Sequence, residues 1–181
     1  LGDDEISAAR KNMGWPHAPF EIPREISKSW RSVGTRNSAE CKVWADRLSA
    51  SGRQAEFESI ISGELPENLA DVINAYKENV LKEAGKTATR QASGAVLEIL
   101  ISVIPQLVGG SADLSGSNNT KTKHSIIIKP SKFNGNYIHY GVREHGMAGI
   151  MNGMALHGGI IPYGGTFLIF LDYCKPSLRL S

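Results

Sequence analysis

The second half of this chain switches repeatedly between two hydrophobic periods, and a glycine pair stands near most of the switches: Gly109-Gly110, Gly158-Gly159 and Gly164-Gly165. Ala92, Ala95, Val96, Ile99, Leu100 and Val103 recur at helical spacing until Pro105 ends the run. Leu107-Val108 then reads as a short buried strand entering Gly109-Gly110, and a polar loop is expected from Ser111 to Gly135, a length that is often functional inside a compact domain. Tyr137 to Tyr140 reads as a second strand. The next helix carries Met147, Ile150, Met151 and Met154 on one face and ends at Gly158-Gly159. Ile160-Ile161 reads as a third strand, and Gly164-Gly165 as the turn into a helix from about Thr166. Strands separated by helices cannot pair as hairpins; they need crossovers, which predicts an α/β fold with a parallel sheet and flanking helices.

The first half has one period only. Asp3 or Asp4 can cap a short helix ending at Gly14, and Pro19 and Pro23 keep the segment Ala18 to Pro23 extended. Helices are expected around 24–33, 39–51 and 54–62, and after Pro66 the stripe Leu69, Val72, Ile73, Tyr76, Val80 adds about four turns. Gly85-Lys86 breaks that pattern, so a mostly helical segment 1–85 is expected to precede an α/β segment 86–181.

Charge and composition exclude several classes of function. With 20 Lys+Arg against 18 Asp+Glu the net charge is +2, and no basic run exceeds two residues, so neither nucleic acid nor an anionic membrane is an expected partner. No apolar stretch reaches the ~18 residues of a membrane span. Cys41 and Cys174 are far apart and lack metal-ligand spacing, which favours a reducing compartment over a disulfide scaffold.

Three places can carry chemistry, since ligands of an open α/β sheet gather where strands end. Gly109-Gly110-Ser111-Ala112-Asp113, with Ser117 and Asn118, could cradle an anion, although Ser, Asp and Asn also make ordinary turns. Glu144 opens the Met-rich helix, where an acid gains ~0.3–1 kcal/mol from the helix dipole without any catalytic duty. Phe167, Phe170 and Tyr173 recur at helical spacing, as core aromatics usually do. Arg90, at a helix start, reads more often as a solvent-facing residue than as a phosphate ligand. His139, His145 and His157 match no common zinc spacing, and no metal ligand is assigned in this chain.

Taken together, four stretches resemble the transketolase family in its order and near its spacing: Pro19 to Pro23; Gly109 to Leu114 with Ser117-Asn118; Asn136 to Met147; and Thr166-Phe167-Leu168 with Phe170 and Tyr173. The resemblance implies a thiamine-diphosphate-binding fold and transfer of a two-carbon ketol unit from a ketose phosphate to an aldose phosphate. It implies that Glu144 hydrogen-bonds N1′ of the aminopyrimidine, favouring the imino tautomer whose 4′-nitrogen removes the thiazolium C2 proton; a buried carboxyl suits proton sharing of this kind. By the same resemblance Phe167, Phe170 and Tyr173 form the aromatic pocket of that ring, and Asp113 and Leu114 lie near the thiazolium. Arg90 and Ser117 would hold the sugar phosphate's phosphate.

The family's metal site uses a Gly-Asp-Gly motif, and none occurs here. The expectation is that the magnesium ligands lie upstream. Residues 1–85 would then be the end of a diphosphate-binding domain, and 86–181 the first half of a pyrimidine-binding domain. The absent initiator Met and the uncapped end at Ser181 fit an internal piece, inactive alone, with incomplete sheet edges. A cytoplasmic homodimer of the pentose phosphate pathway, its active sites shared between subunits, is the implied assembly. The related thiamine enzyme that makes deoxyxylulose phosphate fits Tyr137 to Met147 and Phe20 to Pro23 less well. A non-catalytic remnant, or one subunit of a split thiamine enzyme, is the remaining alternative.

Overall fold

The computed structural model describes residues 2–181, which divide into two compact units after Gln54. The first contains α1 (Asp3–Asn12), α2 (Arg24–Thr35) and α3 (Ser38–Ala50). Asp3, Asp4 and Glu5 in the first turn of α1 and Arg10 and Lys11 in its last turn complement the helix dipole. Pro23 sits at the N-cap of α2 and the segment before it is not helical, but it is not extended throughout as expected: the Glu21 N–H bonds the Ala18 carbonyl at 3.1 Å, closing a turn with Phe20 at φ +65. None of these three helices buries a residue.

The second unit follows with α4 (Gln54–Ser62), α5 (Leu69–Glu83) and α6 (Thr89–Val103). Gln91 Oε1 accepts the Ala88 N–H at 3.3 Å, capping the start of α6 from within its own first turn. Then come β1 (Leu107–Ser111), the short α7 (Ser115–Asn118), β2 (Tyr137–His139), α8 (Glu144–His157), β3 (Ile161–Gly165), a 3-10 turn (Leu168–Phe170) and α9 (Leu171–Leu178). The sheet order is β2-β1-β3 and both pairings are parallel, as the alternating periods require. Among the described residues no helix is long and apolar enough to cross a membrane.

The glycine pairs differ from expectation. Gly109-Gly110 and Gly164-Gly165 lie inside β1 and β3, not in the turns after them. A Cβ on Gly109 would run into the carbonyl and ring of Tyr163, and one on Gly110 into the Ile138 carbonyl. These glycines let three backbones and an aromatic ring approach closely. The helix expected from Thr166 accordingly starts later, at Leu168, as a 3-10 turn. The polar loop is not wholly irregular either, since α7 interrupts it and Ile127 bridges to Tyr137.

Two apolar clusters flank the sheet. Ile101, Ile104 and Leu107 gather Leu69, Leu97, Leu100 and Tyr163 around them. Ala112, Tyr140 and Met147 gather Ile138 and Met151. Ile150 departs from the expected apolar face of α8, being 50% exposed, while Met147 is buried.

Candidate active site

Most residues of the site follow the C-terminal ends of the three strands, and Arg90 comes from the first turn of α6. After β2, Gly141 turns the chain at φ +68, where a Cβ would also meet the Arg143 guanidinium. Arg143 Nη1 donates to the Tyr140 carbonyl at 3.0 Å, and the Met147 N–H bonds the Arg143 carbonyl at 2.8 Å, opening α8. Glu144 is thereby fixed as the first residue of α8 and is only 9% exposed. Its carboxylate has no hydrogen bond or ion pair among the described residues. The carboxylate borders a cavity, where the donor of a ligand can reach it.

Glu144 lines a cavity of about 430 Å³ with Ala112, Asp113, Leu114, Val142, Phe170 and Tyr173. The walls are mainly apolar, with carboxylates at Glu144 and Asp113. Asp113 holds φ +60, a left-handed conformation uncommon for a non-glycine residue. Phe170 stands between Phe167 and Tyr173, with ring centroids 6.0 and 6.1 Å away and planes within 13° and 23°. Phe170 and Tyr173 face the cavity with Glu144; Phe167, at the far end of the stack, does not line it.

Phe167 instead borders a second cavity of about 870 Å³, together with Arg90, Ser117, Asn118 and Thr166. Arg90 and Ser117 are 27 positions apart in sequence, and the structure brings both to this one space. The Thr166 Oγ1 is buried there without a partner among the described residues. A guanidinium, two hydroxyls and an amide suit an oxyanion. No group of three or more His, Cys, Asp or Glu among the described residues could hold a metal ion. His145 bonds Ser177 Oγ through Nδ1 at 3.1 Å, and His139 and His157 are exposed.

The loop between the two cavities is shaped by a buried network that sequence reasoning missed. Ser111 Oγ donates to the Gly165 carbonyl at 3.1 Å and accepts from the Leu114 N–H at 3.1 Å and Asn118 Nδ2 at 2.9 Å. Asn118 Oδ1 accepts from Thr120 Oγ1 at 2.8 Å, and that hydroxyl meets the Tyr137 OH at 3.1 Å. Tyr137 is fully buried, and its OH donates to Ser115 Oγ at 2.6 Å. The partners are up to 54 residues apart, so no local pattern announces them. Only Ser111 and Asn118 stood in a stretch already marked by glycines.

The residues fit one end of a thiamine cofactor: a buried acid for a ring nitrogen and aromatic faces for a flat ring. Comparison with known proteins points the same way. A family model described as "Transketolase, pyrimidine binding domain" matches residues 85–181, and one described as "Transketolase, thiamine diphosphate binding domain" matches residues 1–66. The transketolase of Cereibacter sphaeroides is 49% identical over 181 residues, covering 100% of this chain and 27% of the relative. That of Sinorhizobium medicae is 47% identical over 181 residues, covering 100% and 26%. Among solved structures, transketolase from Leishmania mexicana superposes with a TM-score of 0.79 at 34% identity, over 99% of this chain and 27% of that one. A Pichia stipitis transketolase in complex with sedoheptulose-7-phosphate gives 0.80 at 34% identity, over 99% and 28%. The chain thus spans about a quarter of the length of the relatives it matches.

Proposed function

This chain belongs to the transketolase family, whose pyrimidine-binding model covers residues 85–181, and we propose that it carries the pyrimidine half of a thiamine-diphosphate site that transfers two-carbon ketol units between sugar phosphates. The observation that carries the proposal is the buried, internally unpartnered carboxylate of Glu144 facing Phe170 and Tyr173 across one cavity.

Glu144 would hydrogen-bond the ring nitrogen of the aminopyrimidine from the first turn of α8, where its side chain lines the cavity. Phe170 and Tyr173 would offer aromatic faces to the ring, and Phe167 backs their stack. Asp113 and Leu114 lie at the same cavity, where a carboxylate favours the positive thiazolium. Arg90 and Ser117 receive the phosphate of the sugar in the neighbouring cavity, fixing the distance from the reacting carbons to the cofactor. When bound, thiamine diphosphate supplies the electron sink that lets a bond beside a ketone break and re-form.

Gly-Asp-Gly is absent from the 181 residues, so magnesium and the diphosphate end are assigned to other residues of the full protein. In this reading 1–85 closes a diphosphate-binding domain and 86–181 opens the pyrimidine-binding domain. Leu168 and Ile169, beside the aromatic stack, are 86% and 74% exposed, which supports a homodimer whose second subunit covers that side. Two free cysteines suit a cytoplasmic enzyme of the pentose phosphate pathway.

The test is Glu144→Gln in the full subunit, assayed with thiamine diphosphate, magnesium, a ketose phosphate and an aldose phosphate. Turnover should fall by roughly 10²–10⁴-fold with the melting profile retained. Unchanged turnover would remove Glu144 from the chemistry.

A further inference from the structure

Phe170, Cys174 and Ser177 fall at i, i+4 and i+7, so they share one face running into and along α9. The first reaches the cavity of Glu144, and the other two are buried against α8. Their side chains end on the opening turn of that helix. Cys174 Sγ donates to the Glu144 carbonyl at 3.2 Å, and Ser177 Oγ meets His145 Nδ1 at 3.1 Å. Lower down, Asn152 Nδ2 donates to the Ser177 carbonyl at 2.8 Å, closing the same seam. Burial, and after it the nearby Glu144 carboxylate, push the Cys174 thiol up, so at neutral pH it remains a thiol and keeps its donor.

One wall of the cavity therefore rides on α9 and the other on α8. The two are joined by side chains one residue from each functional group: Cys174 follows Tyr173, and His145 follows Glu144. A flat ring that lays its face on an aromatic wall and gives its edge to a carboxylate needs the two groups held within about 0.5 Å of one geometry.

We propose that Cys174 and Ser177 are positioning residues that set the separation between the aromatic wall and Glu144, and with it the affinity of the cavity for a flat heteroaromatic ring. The inference rests on the reading of the site given above. Arg90 and Ser117 border the other cavity, so their grip on a sugar phosphate does not depend on this seam.

In the full subunit at fixed magnesium, the thiamine diphosphate dissociation constant is measured by calorimetric titration for the wild type, Cys174→Ala, Ser177→Ala and Cys174→Ser. Melting temperature and the KM of the sugar phosphate are recorded in parallel. Each alanine variant should raise the cofactor's Kd roughly fivefold, while Cys174→Ser, which keeps a donor in place, stays within about twofold of wild type and KM moves by less than about twofold. A purely structural role predicts lower melting temperatures with unchanged Kd, and that result overturns the inference. So does a KM that rises in step with Kd, which would signal general loosening. A wild-type subunit that shows no saturable thiamine diphosphate binding would overturn the reading of the site itself and this inference with it. Binding by wild type with indifferent variants would overturn the inference alone.

Discussion

At Tyr140 a hydroxyl is buried without a hydrogen-bond partner among the described residues, and burial pushes the phenol up to about 12. An orphaned hydroxyl costs stability that a phenyl ring does not, so Tyr140→Phe should stabilise the fold by about 1 kcal/mol in urea titrations. The same burial gives a signed pH dependence. With the folded value near 12 and the unfolded one near ~10, the folded state holds its proton longer, so stability is whole below about pH 10 and declines as pH rises toward 12. Tyr163 adds to this, also pushed to about 12 by burial first and by Tyr137 second. Unfolding midpoints followed across that range should fall, and fall less in Tyr140→Phe; a flat profile would contradict the assignment. Asp113 presents a different tension, a non-glycine backbone held at φ +60 beside the cavity. Asp113→Asn tolerates that backbone and should change stability by less than about 0.5 kcal/mol, whereas Asp113→Val should cost about 1–3 kcal/mol. If Asp113→Asn nonetheless weakens thiamine diphosphate binding, the carboxylate's charge matters to the ligand and not to the fold.

Among elements, β1 is the most constrained, with a parallel neighbour on each side and glycines facing both. Gly110→Ala places a methyl group against the Ile138 carbonyl of β2, a backbone atom that cannot swing aside. The expected cost is about 3 kcal/mol or more, read as a shifted denaturation midpoint. Gly116→Ala, whose Cβ meets nothing within 4 Å, serves as the control and should lie within about 1 kcal/mol of wild type. The helices were legible in advance because 3.6-residue apolar periods and prolines are local signals, and α4, α5 and α6 fall where those signals lie. The strand glycines were not legible as strand. Glycine alone reads as a turn, and only the approach of Tyr163 and Ile138 turns it into a packing requirement.

Across the whole chain, burial is uneven: β1 buries four of its five residues, while α1 to α5 bury none. Hydrogen exchange in the 181-residue chain should therefore be slowest in β1 and fastest in α1 to α3, whose backbones lack a buried apolar face to hold them. Uniform protection across both units would contradict this. The site divides along the same line of reasoning. Helical periods and proline stops sufficed to propose an α/β fold, while the resemblance of four stretches to one family implied Glu144, Asp113, Leu114, Phe167, Phe170 and Tyr173 as a cofactor group and Arg90 and Ser117 as a phosphate pair. Those signals are local, since each is written in residues a few positions apart. Tertiary structure alone decided that Phe167 lines the other cavity with Arg90 and Ser117, that Ser111, Thr120 and Tyr137 lock the loop between them, and that Cys174 and Ser177 tie α9 to α8. Such contacts join residues tens of positions apart, and which partners meet depends on how strands and helices pack, something no local pattern encodes.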